Sequence, residues 1–107
     1  MRTYNKLVRD LIPNIIQSQG RQQCKTLILD EETYKSALRA KLEEEHIEYQ
    51  EAETDELANE ELSDMLEVIY ALASIHGISE EELNKIRKEK ADQRGAFKEK
   101  IFLVEVD

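Results

Sequence analysis

The chain has no tryptophan, one proline, three glycines and one cysteine in 107 residues. With Cys24 alone, an intrachain disulfide and a Cys-rich zinc site are both excluded. Breakers are confined to Pro13, Gly20, Gly77 and Gly95, so the intervening stretches of Glu, Leu, Lys and Ala favour long helices. No apolar run approaches the ~18 residues of a membrane span or has the layout of a signal peptide. A cytoplasmic protein without a membrane partner is the expectation. Basic residues are also in short supply: 15 Lys and Arg against 24 Asp and Glu, a formal charge of −9. That balance argues against broad nucleic-acid binding, which depends on neutralising phosphates. An anionic small molecule is still admitted where local bases or metal ions reverse the field.

What remains is enough for one core. Leu, Ile, Val and Phe supply 28 of the 107 residues, above the roughly one-fifth below which highly charged chains stay unfolded. The length suits a single domain over residues 1–107. A core this thin favours an oligomer that buries more surface.

Punctuation along the chain predicts four helices. Asp10 is expected to cap a short one at Leu11–Gln19, with Pro13 in its tolerant first turn and Gly20 at its end. Asp30 before Glu31 and Glu32 opens a long helix over 31–52. Thr54 and Asp55 open a second, with Gly77 just past its end. Ser79-Glu80-Glu81-Glu82 is a capping box for a third, running to Arg94 and stopped by Gly95. Cys24–Leu29 and Lys100–Val106 read as extended segments, the latter a terminal strand or arm. The expected fold is all-α: a bundle of three main helices plus a short N-terminal one, with minor extended segments, in an oligomer.

Acids fall where the core should be. At about 100° per residue, Glu45 lies amid Leu38, Tyr49, Tyr34 and Ala52, with Glu48 on the margin of the stripe and Glu44 just beyond. On the next helix Glu61 lies within about 40° of Leu57, Met65, Val68 and Leu72, and Asp64 sits one turn on. Buried carboxylates cost several kcal/mol each unless paired, protonated or bound to metal. Glu45-x-x-Glu48 and Glu61-x-x-Asp64 each place two carboxylates on one side of a helix. An all-oxygen set suits Mg²⁺ or Mn²⁺ rather than zinc. Glu43 points away from the stripe and reads as solvated charge. A salt-bridged core with Lys41 and the basic third long helix is the competing account of the inward acids. His46 completes half of a di-iron motif with Glu43, but His76 has Ala73 at the matching position, so both histidines read as surface or helix-end residues.

On the helix after Ser79, Arg87, Lys90 and Arg94 share the side of Leu83. Facing an acidic cation site, these bases are suited to the charge of a polyphosphate, and Lys6 and Arg9 extend the set. There is no Gly-rich phosphate loop, no His-x-x-x-His pair and no Ser or Cys with a convincing His partner.

Together, Glu44-Glu45-His46-Ile47-Glu48 and, twelve residues later, Glu61-Leu62-Ser63-Asp64 resemble the paired motifs of the MazG-like all-α nucleoside triphosphate pyrophosphohydrolases. The opening Tyr4-Asn5-Lys6-Leu7-Val8-Arg9-Asp10-Leu11-Ile12-Pro13 and the later Lys90, Arg94, Gly95 and Phe97 resemble a subgroup of small phosphoribosyl-ATP pyrophosphohydrolase-like proteins. Ala96 departs from that subgroup, which often has glycine there. The resemblance implies a homodimer or homotetramer that hydrolyses a nucleoside triphosphate to the monophosphate and pyrophosphate with Mg²⁺, Mn²⁺ being a possible substitute. It implies Glu45, Glu48, Glu61 and Asp64 as metal ligands and Glu44 as a supporting residue or water activator. Catalysis would thus fall to Glu44, Glu45 and Glu48, and phosphate binding to Lys90, Arg94, Arg87, Lys6 and Arg9. Phosphoribosyl-ATP hydrolysis uses the same architecture, and a non-catalytic helical module for nucleotide binding or interaction is the alternative from another class.

Overall fold

The computed structural model describes residues 3–20 and 23–107. In chain order the helices are α1 (Ile12–Ser18), α2 (Glu31–Glu51), α3 (Asp55–Ile75) and α4 (Glu80–Arg94). No strand occurs among the described residues. The all-α class follows from the local chemistry. Asp30 accepts from the Thr33 amide and Thr54 from the Leu57 amide, satisfying donors that the first turns of α2 and α3 leave free. The Ser79 and Glu82 side chains cap each other's backbone amides at the start of α4, completing the expected box.

The end of α3 is equally defined. The Gly77 amide donates to the Ser74 carbonyl and the Ile78 amide to the Ala73 carbonyl. This pair of bonds forms a Schellman motif, with Gly77 at φ 87° in the left-handed region that a side chain disfavours.

α1 departs from expectation. Its N-cap is Leu11, without a side-chain cap, because the Ile12 amide donates to the Arg9 carbonyl and draws Asp10 into the entering turn. The segments around residues 23–29 and 101–107 are present but join no ladder.

α2 and α3, joined by a three-residue link, form an antiparallel hairpin that is the main packing unit. α4 packs on α3 alone, helped by Asn84 Nδ2 donating to the Tyr70 hydroxyl at 3.2 Å. The apolar core is small: Leu38 of α2 with Val68 and Ala73 of α3. Tyr49 and Leu57 share its stripe yet stay exposed, because no other element covers the link end of the hairpin.

One copy therefore leaves much surface open. The radius of gyration is 18.1 Å and the extents are 63 × 35 × 24 Å, against a radius of about 13 Å for a compact domain of this length. The accessible surface is 10139 Å², against about 6,200 Å² for a compact monomer of this mass. Exposed Leu, Ile, Val and Phe side chains mark a surface that suits a partner or further copies. Among the described residues no helix is long and apolar enough to cross a membrane.

Candidate metal centre

Folding α2 back on α3 brings Glu45 opposite Glu61 and Asp64. One carboxylate oxygen from each lies within 4.8 Å of the others. Glu45 is the buried member at 6% exposure, and Glu61 and Asp64 are half-buried. The Oε2 atoms of Glu45 and of Glu61 are both buried without a hydrogen-bond partner. Unsatisfied polar atoms are rare in folded interiors and normally mark a bound group or a chemical role.

The existing counter-charges touch only the edges. Lys41 Nζ lies 3.6 Å from Glu45 Oε1 and 3.4 Å from Glu44 Oε2, as its helical spacing allows. Arg9 Nη2 donates to Asp64 Oδ1 at 2.7 Å, tying the segment before α1 to the acidic group. Neither cation reaches the unpartnered oxygens.

Crowding of acids is visible in their protonation. Burial, followed by the closeness of the Glu61 and Glu48 carboxyls and the negative charges of Glu48 and Asp64, pushes the Glu45 carboxyl up to about 7. For Glu61 the facing Glu45 carboxyl pulls downward. Burial, the neighbouring Glu48 carboxyl and the charges of Glu48 and Asp64 together outweigh it, so this carboxyl is raised as well. The pair holds a proton into a range where ordinary carboxylates have lost theirs.

Three of the four expected ligands thus come together. Glu48 is exposed and stands outside the three-oxygen group, near enough to act on Glu45 and Glu61 from the rim. Glu44 is half-buried and held by Lys41 beside the group. The bases distribute differently. Arg87, Lys90 and Arg94 are exposed on α4, which packs against α3 and not α2, and they form no ion pair with described residues. Within one copy they do not meet the acids. Lys6 is exposed and lies 5.9 Å over the Tyr4 ring. His46 is exposed, and His76 is the C-cap of α3.

An open groove of about 470 Å³ beside Asp64 is lined by Glu56, Asn59, Glu60 and Ser63. Asn59 and Ser63, one helical turn apart, are the uncharged members of this lining, Ser63 standing at an unspecified position of Glu61-x-x-Asp64, and neither carries a sequence signal of its own.

The donor set fits a hard divalent cation: carboxylate oxygens only, on two rigid helices, with two buried oxygens lacking partners. No family model matches the chain, and neither a curated protein nor a solved structure matches it.

Proposed function

We propose that this chain is a divalent-cation-dependent nucleoside triphosphate pyrophosphohydrolase of the MazG-like type. The observation that carries the proposal is the Glu45, Glu61 and Asp64 group with its buried, unpartnered oxygens. The motifs around it narrow the reading from cation binding to nucleotide hydrolysis. Glu45, Glu61 and Asp64, with Glu48 joining from the rim, would hold Mg²⁺ or Mn²⁺, which when bound would supply charge to neutralise the phosphates and to make a water more acidic. Glu44, restrained by Lys41, accepts the proton of the water that attacks the α-phosphorus in line. Lys6 and Arg9 contribute charge to the polyphosphate from the entering segment. Arg87, Lys90 and Arg94 are free to do so across a subunit boundary in a homodimer or homotetramer. The cytoplasm, where nucleotide pools turn over, is the matching compartment.

The direct test is a nucleotide panel, phosphoribosyl-ATP included, with and without Mg²⁺, its products separated by ion exchange. Metal-dependent release of pyrophosphate with the matching monophosphate is expected. Turnover confined to phosphoribosyl-ATP would assign the narrower activity on the same site. Orthophosphate and diphosphate would contradict attack at the α-phosphorus. No turnover on any member would favour the non-catalytic module.

Arg9 has opposing roles in this scheme, which separates it from a structural residue. Its guanidinium competes with a cation for Asp64, so Arg9→Ala is expected to tighten Mn²⁺ binding in calorimetry. An exposed pair of this kind limits the gain to about fivefold. The same variant should raise the nucleotide KM, because a phosphate partner has gone. Weaker Mn²⁺ binding would instead make Arg9 a support for Asp64.

A further inference from the structure

Two apolar stretches lie outside the helices and pair with no described residue of the same copy. Before α2, Leu27 is 75% exposed and Ile28 96%. After α4, a turn closed by the Lys100 amide on the Phe97 carbonyl leads into Ile101-Phe102-Leu103-Val104-Glu105-Val106, whose apolar members are 74% to 88% exposed. Neither stretch makes a backbone hydrogen bond to any described residue. Both are rich in the residue types that suit strands, and an unpaired apolar strand is a template for another chain.

Their sequences are complementary in one register. Set antiparallel with Leu27 opposite Leu103, Ile28 meets Phe102 and Leu29 meets Ile101. Lys25 then meets Glu105 at one end, and Asp30 meets Lys100 at the other. A slip of one residue either way sets an apolar residue against Lys25. It also sets Ile101 against Asp30 in one direction, or Lys100 against Leu29 in the other. The parallel alignment that pairs Leu27 with Phe102 sets Lys25 against Lys100. Cross-strand pairs of opposite charge stabilise a ladder and like charges oppose it, so this pattern selects one register.

We propose that residues 101–106 of one copy pair antiparallel with residues 25–29 of a second copy, and reciprocally, as exchanged arms. This rests on the reading of the chain as a homo-oligomer and names the contact that joins the copies. The occupant is a second copy because each copy carries both halves of the ladder and a two-fold axis satisfies them all. The surface supports it: 10139 Å² is some thousands of Å² more than a compact monomer shows, while a stable dimer needs only about 800 Å² from each partner.

The test is cross-linking between distinguishable copies. In a Cys24→Ser background, one chain carries Ile28→Cys and a second, mass-tagged chain carries Phe102→Cys. They are mixed, oxidised with copper phenanthroline and sized on a non-reducing gel, while light scattering gives the mass in solution. Facing cross-strand positions lie within disulfide reach. A mixed disulfide is therefore expected for this pair, and none when Glu105→Cys replaces Phe102→Cys. An oligomer with no mixed disulfide, or with equal yield from both pairs, would overturn the arm exchange and leave the oligomer standing. A monomeric mass would overturn both. As an independent check, Glu105→Lys should lower the oligomer fraction and Lys25→Glu added to it should restore the fraction. No restoration would overturn the register.

Discussion

Glu61→Gln is expected to lower nucleotide hydrolysis by more than about 100-fold while the helical circular dichroism spectrum stays unchanged. Loss of a residue that merely supports a metal ligand costs 10- to 100-fold, and a ligand itself costs more. Glu61 is placed for the larger loss. Its Oε2 is buried without a partner, and the side chain stands opposite the buried Glu45. Glutamine preserves length and shape, so the hairpin has no steric reason to open. Its amide removes one negative charge from the acidic group and puts a donor where an acceptor stood. Mn²⁺ affinity by calorimetry should fall together with turnover. Turnover equal to that of the unaltered chain would remove Glu61 from the mechanism. Lost turnover with unchanged Mn²⁺ affinity would move its role from cation to substrate.

The second large effect is on stability and requires no substrate. In chelator the protein is expected to melt highest near pH 5 and to lose stability up to about pH 7. Glu45 keeps its proton in the fold to about 7, whereas its ordinary value is 4.5. Between these values the native state binds more protons than the unfolded chain, so rising pH favours unfolding. Above about 7 both states are ionised and the loss levels off. For Glu45 alone the loss is on the order of 3 kcal/mol, and the raised Glu61 acts in the same direction. Glu45→Gln should flatten the fall, because an amide carries no charge to bury and finds acceptors in Glu61 and Glu48. Adding Mg²⁺ at pH 8 should restore the melting temperature in the unaltered chain and do little in Glu45→Gln. A melting temperature that rises from pH 5 to pH 7 in chelator would contradict the buried acid pair.

Caps and glycines were readable because they act within one turn: Ser79, Thr54, Asp30 and Gly77 serve as their types suggest. Glu45 and Glu61 were readable because a carboxylate inside an apolar stripe has few tolerable environments. Asp10 failed as a cap because a turn at Arg9 consumed the residues that would have let it flank the helix. Arg87, Lys90 and Arg94 share a face as expected, but a helical wheel gives a direction about one axis and not the neighbour found there. Packing on α3 alone leaves them in solvent. Tyr49 and Leu57 are core types left uncovered for a similar reason, since no described element covers the link end of the hairpin.

The hairpin link has a consequence for how this protein tolerates change in length. Glu45 stands eight residues before Glu53 and Glu61 eight after it, so the acids meet because two helical screws run in step from a common origin. One residue added inside either arm would turn everything beyond it by about 100° and carry an acid off the shared face. An insertion of seven would restore the direction but lift that acid by about 10 Å. The link therefore acts as the zero of a ruler. The count from link to carboxylate is fixed on both sides at once.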